Sequence, residues 1–138
     1  MGYAYYLNLC LISPESEATM DHLLPKLQQF YAADGDRIAF SRNGNSLKLK
    51  IDDYVFEIRH VEGAEILEES ESAAKYYIGD SDTKSAIALC RARFEMYGDD
   101  DHNMDYFNDS LYIQECMEAV AKIYIFDPQG GKFMNLDL

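Results

Sequence analysis

Residues 99–109 hold the side chains with the clearest chemical potential in this sequence. Five of them are carboxylates, and aromatic side chains lie beside and among them. The carboxylates are Asp99, Asp100, Asp101, Asp105 and Asp109, and the aromatic residues are Tyr97, Tyr106 and Phe107. Carboxylates pair with arginine and lysine, while aromatic rings attract cations and exclude water around such pairs. This combination favours recognition of a cationic protein surface.

A second acidic run begins at residue 62. Its glutamates are Glu62, Glu65, Glu68, Glu69 and Glu71. The run is a secondary candidate for contact with the same partner, although charge runs commonly form solvated faces that only keep a protein soluble. The alternative of an adaptor protein whose acidity serves solubility therefore stays open for both runs.

The aspartate run also raises the question of a metal site. Asp99, Asp101 and Asn103 have the spacing of the first three ligands of a calcium-binding EF-hand loop. That loop requires glycine at the position of Met104 and a bidentate glutamate at the position of Ser110, so a standard EF-hand is excluded. We predict no bound metal or cofactor, with non-standard Mg²⁺ or Ca²⁺ coordination as the alternative.

The sequence contains no recognisable catalytic motif. The three histidines, His22, His60 and His102, form no H-E-x-x-H pattern, and no G-x-S-x-G, P-loop or G-x-G-x-x-G sequence occurs. The three cysteines form no C-x-x-C pair and lie among apolar neighbours, which is typical of reduced, buried thiols. We therefore predict a protein that is not an enzyme. A small metal-dependent or small-molecule-binding enzyme that uses the aspartates is the alternative.

The overall charge decides which partners are compatible. The chain carries 25 Asp and Glu against 12 Lys and Arg, a formal charge of −13 with a pI near 4.4. This sign opposes binding to nucleic-acid phosphates and to anionic membranes. No apolar stretch approaches the roughly 20 residues of a membrane helix, and the N-terminus lacks a secretory signal pattern, so we expect a cytoplasmic protein. With 48% hydrophobic residues and no linker, residues 1–138 are expected to form a single globular domain.

The elements that must position these residues follow from the hydrophobic pattern. Residues 3–12 are rich in aromatic and branched side chains and predict a strand. An apolar stripe over residues 20–31 predicts an amphipathic helix, which either kinks at Pro25 or begins late with Asp21 or His22 near its cap.

Alternation with a period of two over residues 37–61 predicts a three-stranded meander. Its first turn is expected at Asn43-Gly44, as a type I′ hairpin, and its second at Asp52-Asp53. At the other end of the chain, residues 123–126 and 132–136 flank a turn sequence and predict a terminal hairpin.

Helical spacing dominates between these two sheet segments. Residues 66–77 fit one helix, and a second helix capped by Ser81 or Asp82 is expected to continue through Phe94 and Tyr97 to Gly98. A third helix over about residues 104–122 would form a helical hairpin with it. The predicted fold class is α+β, with an antiparallel sheet made of the N-terminal strand, the central three-stranded meander and the C-terminal hairpin, and with helices packed on one face.

Residues 93–109, RFEMYGDDDHNMDYFND, and residues 125–131, IFDPQGG, give the chain a family resemblance. It resembles the small acidic immunity proteins that bacteria encode beside secreted polymorphic or contact-dependent growth-inhibition toxins. The resemblance implies a cytoplasmic, non-enzymatic inhibitor that binds a cognate toxin domain, often a basic nuclease, by covering its active site or a neighbouring surface. The site itself rests on the charge pattern. Exposed aromatic side chains would suit a homodimer interface equally well.

Overall fold

Seven strands form one antiparallel sheet in the computed structural model of the chain, which describes residues 5–136. In chain order the strands are β1 (Tyr5–Ile12), β2 (Ile38–Asn43), β3 (Ser46–Ile51), β4 (Tyr54–Glu62), β5 (Ala92–Gly98), β6 (Ile123–Asp127) and β7 (Lys132–Phe133). Their order across the sheet is β2-β3-β4-β5-β1-β6-β7. The predicted α+β class with an antiparallel sheet is confirmed, and the first two residues of the predicted N-terminal strand, Tyr3 and Ala4, lie outside the described residues.

Four α-helices connect and cover the strands. They are α1 (Met20–Phe30), α2 (Ala64–Ala74), α3 (Ser81–Ala88) and α4 (Phe107–Val120), and a 3₁₀ segment (Ala32–Arg37) follows α1. Helix α1 passes through Pro25 and is capped by Thr19, whose side chain accepts from the backbone N–H of Asp21, while the His22 ring accepts from the backbone N–H of Thr19. Asp21 and His22 thus lie near the cap, as predicted, but the cap itself is Thr19. Likewise Asp80 caps α3, where Ser81 or Asp82 was predicted.

The predicted meander is confirmed. Strands β2, β3 and β4 pair in register from Ile38↔Ile51 through Ser46↔Arg59. The first turn has Gly44 and Asn45 as its central pair, and only Gly44 has a positive φ, of 62°. A type I′ turn needs positive φ at both central residues, so the hairpin is confirmed, while the predicted turn type and the predicted central pair Asn43-Gly44 are wrong.

The main error of the sequence interpretation concerns residues 92–98. The predicted helix ends at Ala88, and the following residues form β5, a central strand between β4 and β1. Phe94 and Tyr97 fit the helical spacing, but Phe94 and Met96 also alternate with polar neighbours, and both of these are fully buried in the sheet core. Two long pairing partners stabilise the strand, so tertiary context overrides the helical pattern. The predicted helical hairpin is therefore wrong.

The helices form two pairs on opposite faces of the sheet. Along β1, Cys10 packs in the cluster that includes α1 and α4, whereas Leu11 packs in the cluster that includes α2 and α3. Residues of β6 divide in the same way, with Ile125 on the first face and Tyr124 on the second. The helices therefore cover both faces of the sheet, whereas the sequence predicted helices on only one face.

Candidate protein-binding surface

One end of the sheet gathers carboxylates from four separate chain segments. Antiparallel pairing brings the end of β5 beside the start of β4, since Gly98 pairs with Phe56, and the 3₁₀ segment packs beside the β3–β4 turn, where Asp52 N–H donates to Arg37 O. We call the seven exposed or half-exposed carboxylates at this place the acidic end. They are Asp34, Asp52, Asp53, Asp99, Asp100, Asp105 and Asp109.

The middle of the acidic end is an open depression of about 760 Å³. Its rim carries the carboxylates of Asp53, Asp99 and Asp100, and its walls include the rings of Tyr54 and Tyr106. These two rings stack with centroids 4.3 Å apart. Carboxylates beside an aromatic ring such as that of Tyr106 present both electrostatic and cation–π attraction to a lysine or arginine.

Arg37 pairs with two carboxylates of the acidic end that lie outside the depression. Arg37 bridges Asp34 at 3.3 Å and Asp52 at 3.2 Å, and hydrogen bonding to Asp52 raises the pKa of its guanidinium. No lysine or arginine occurs between Phe94 and Ala121. The acidic end therefore keeps a large excess of negative charge.

Asp99 is held in place by the strand beside it. Its carboxylate accepts from the backbone N–H of Val55 at 3.1 Å, and its backbone carbonyl accepts from the Tyr54 hydroxyl at 2.6 Å. Asp109 accepts from the hydroxyl of Tyr31 at 2.7 Å. Both carboxylates are thus fixed from the protein side while their outer surfaces stay open, which lowers the entropic cost of pairing with a partner.

Asp101 has a different role from its neighbours. It is 6% exposed, and its carboxylate accepts from the Tyr6 hydroxyl and from the backbone N–H groups of Asp105 at 3.0 Å and Tyr106 at 2.8 Å. Burial alone would raise the pKa of Asp101, but these hydrogen bonds lower it below its ordinary value. Asp101 is therefore an internal anchor for the loop that leads into α4, and only the other four predicted aspartates face solvent.

The three predicted aromatic anchors are separated by the fold. Tyr106 lines the depression, and Phe107 lines a neighbouring cleft. Tyr97 projects from the opposite face of β5, where its hydroxyl donates to Glu57. Side chains on a strand alternate between its two faces, so the assignment of residues 92–98 to a strand places Tyr97 on the face away from the other two aromatic residues.

The glutamate run and the acidic end do not form one surface. Glu62 pairs with Ala92 at one end of β5, whereas Asp99 follows the other end, and seven strand residues span about 20 Å. All five glutamates are exposed, and Glu69 forms an ion pair with Arg93 at 3.0 Å. The Glu65, Glu68 and Glu71 carboxylates provide an acidic helix face that is independent of the acidic end.

Sequence reasoning missed Asp34, Asp52 and Asp53 as members of the site. The Asp52-Asp53 pair was correctly predicted as a turn, but 45 residues separate Asp53 from Gly98 in the chain. Only the pairing of β4 with β5 brings them together. A correct prediction of residues 92–98 as a strand could have indicated this proximity, because such a strand can pair with β4.

Comparison with family models, curated proteins and solved structures gives no match to this chain. Among the described residues, no group of three or more His, Cys, Asp or Glu side chains is placed to hold a metal ion. Within the same residues, no helix is both long and apolar enough to span a membrane. The function of the acidic end is therefore inferred from its own geometry and charge.

Proposed function

We propose that this chain is a cytoplasmic immunity protein and is not itself an enzyme. In this proposal it binds and neutralises a cationic toxin domain that acts as a nuclease. One observation carries the proposal: Asp53, Asp99 and Asp100, from distant parts of the chain, line a depression with aromatic walls, and the other carboxylates of the acidic end lie at the same end of the sheet. Repulsion among like charges makes such an arrangement unfavourable in the free protein. A basic partner relieves that repulsion on binding.

The mechanism follows from the same geometry. Nucleases bind the phosphates of their substrates with lysine and arginine side chains. The carboxylates of Asp53, Asp99 and Asp100 are placed on one rim, where they can occupy the positions of substrate phosphates on the toxin. The bound protein then blocks the substrate by steric occlusion. The long-range field of the acidic end also accelerates encounter with a cationic partner.

The test uses the protein whose gene lies beside the gene for this chain, because immunity proteins of the resembling kind are encoded beside their toxins. Calorimetry at about 50 and about 500 mM NaCl, a range over which exposed charges become heavily screened, measures the affinity and its salt dependence. We expect a one-to-one complex that weakens with salt. A nuclease assay of the neighbouring gene product, with and without this chain, measures neutralisation.

Two charge-matched variants locate the interface. The triple variant Asp53→Asn, Asp99→Asn and Asp100→Asn removes three charges from the acidic end, and Glu65→Gln, Glu68→Gln and Glu71→Gln removes three from α2. We expect the first variant to weaken binding on the order of tenfold at low salt and to flatten the salt dependence, with little effect from the second. Equal effects would show that only the net charge matters, and an effect confined to the second would move the interface to α2.

A further inference from the structure

A second concave feature adjoins the acidic depression. It is a cleft of about 400 Å³ between β1, α4 and the C-terminal hairpin, and Tyr5 lines both the cleft and the depression. Unlike the depression, the cleft exposes more apolar than polar surface, although half of its lining residues are polar, and six large apolar side chains supply that surface. These are Tyr6, Leu7, Met104, Phe107, Leu111 and Met134.

Buried polar contacts hold the walls of the cleft together. Gln114 on α4 donates through its amide nitrogen to Asn8 on β1 at 2.8 Å, and the amide nitrogen of Asn8 donates to the sulfur of Met134 at 3.1 Å. Asn8 and Gln114 are 4% and 7% exposed. Three chain segments are therefore tied at the floor, so the cleft is already formed in the free protein and costs little to organise on binding.

The rim of the cleft exposes large apolar side chains. Met104 is 58% exposed, Met134 is 44% exposed and Phe107 is 38% exposed. A bulge in β1 between Tyr5 and Asn8 accompanies this opening, and within it Tyr6 adopts φ of 56°, a conformation that L-residues rarely adopt. An exposed apolar rim beside a charged surface is typical of a surface that is covered by a partner.

We propose that the cleft takes one aromatic side chain of the cationic partner, next to a lysine or arginine that occupies the acidic depression. This inference rests on the proposed function, because the charge of the acidic end is what commits the occupant to a cationic protein. The volume is ample for one aromatic side chain, and methionine side chains at the rim adapt readily to its shape. A buried aromatic anchor beside desolvated ion pairs is the usual arrangement of an energetic centre in a protein interface.

The absence of tryptophan from the chain allows a direct test. The probes are two synthetic peptides with capped ends, one with the sequence Lys-Lys-Trp-Lys-Lys and one with glycine in place of tryptophan. Indole fluorescence then reports only the peptide, and burial in the cleft shifts its emission to shorter wavelength. We expect the tryptophan peptide to bind at least tenfold more tightly than the glycine peptide, with the same dependence on salt for both.

A matched pair of variants assigns the effect to the cleft. Met104→Ser with Phe107→Ser removes two apolar rim side chains and keeps the Asn8–Met134 contact at the floor, while Ile78→Ser with Leu89→Ser removes two exposed apolar side chains elsewhere. The proposal expects the blue shift and the tenfold advantage to disappear in the first double variant and to persist in the second. Circular dichroism on both double variants checks that the fold is retained.

Other outcomes overturn the proposal in distinguishable ways. If both peptides bind equally and the indole emission does not shift, the cleft is not an aromatic site, although the acidic end still binds cations. If neither peptide binds at low salt, the proposed function fails and this inference fails with it. If the tryptophan peptide binds only to a variant that begins at Tyr5, the occupant is the chain's own residues 1–4. If the rim variant lowers a concentration-dependent dimerisation, the occupant is a second copy of the chain.

Discussion

Replacing Asp101 by asparagine separates the internal role of this residue from the partner-binding role of its neighbours. One carboxylate oxygen of Asp101 accepts from both the Tyr6 hydroxyl and the Tyr106 backbone N–H, and the other accepts from the Asp105 backbone N–H. In Asp101→Asn, the amide oxygen can keep the first two contacts, but the amide NH₂ then faces the N–H of Asp105. At least one hydrogen bond to a charged acceptor is lost.

The magnitude follows from that count. A hydrogen bond to a charged group contributes about 1.5–3 kcal/mol, and the unpaired donor is only partly able to reach water. We therefore expect Asp101→Asn to lower the free energy of unfolding by about 2 kcal/mol. The control is Asp100→Asn, which removes the same charge from an exposed neighbour and is expected to change stability by less than about 0.5 kcal/mol.

Urea denaturation at several pH values measures both the size and the origin of the effect. Because the pKa of Asp101 is lower in the folded state than in the unfolded state, its stabilisation is fully present above the unfolded value of about 3.9. The stabilisation is lost as pH falls through the lower, folded value. The stability gap between the wild type and Asp101→Asn should thus narrow below about pH 4. The assignment of Asp101 as the loop anchor would be refuted if Asp101→Asn were as stable as the wild type at pH 7. It would also be refuted if the difference in their free energies of unfolding did not change with pH.

Three further predictions concern the framework that supports the surface. Burial lowers the pKa of His60, so the unfolded state takes up a proton at a higher pH than the folded state, and the free energy of unfolding falls as pH drops below about 6.5. His60→Leu should weaken this pH dependence in urea titrations, and an unchanged dependence of stability on pH would contradict the role of His60. Arg93 is buried between two carboxylates, so Arg93→Met should cost about 3 kcal/mol of unfolding free energy, against less than about 0.5 for exposed Arg91→Met. A Cβ on Gly98 would lie 2.3 Å from the Tyr54 hydroxyl oxygen, so Gly98→Ala should cost about 2 kcal/mol, and less in a Tyr54→Phe background. Simple additivity of those two changes would exclude the clash as the cause.

The meander shows what the sequence could predict. Leu47, Leu49 and Ile51 alternate with lysines and are all buried, so the local hydrophobic pattern and the final structure agree, although the first turn lies one residue later than predicted. Strand β5 shows the opposite case. Phe94 fits a helical spacing with Tyr97 and a strand alternation with Met96, and only the neighbouring strands decide between the two. Where local pattern is ambiguous, the pairing of distant segments determines the structure.

The site was predictable in type but not in composition. The run at Asp99 and Asp100 was visible as charge, and these residues do form part of the depression. The burial of Asp101 could not be predicted, because its partner Tyr6 is 95 residues away in the chain. The same limit hid the cleft, whose floor joins Asn8 to Gln114 across 106 residues. Charge is a local property of a sequence, whereas burial and concavity arise only from tertiary contacts.

The opposing effects of the acidic end on stability and on affinity lead to one more prediction. Its carboxylates repel one another in the free protein, and the ionic strength of the solution screens that repulsion over about 10 Å at 0.1 M. Raising NaCl from about 20 to about 300 mM should therefore increase the free energy of unfolding of the free chain, while it weakens the complex with a cationic partner. Urea denaturation and calorimetry across the same salt series measure the two quantities. In the variant Asp53→Asn, Asp99→Asn and Asp100→Asn, both dependences should become shallower together, because the same three charges produce both. If the free energy of unfolding did not change with salt while the affinity did, the carboxylates of the acidic end would not repel one another measurably. Relief of that repulsion would then not contribute to binding.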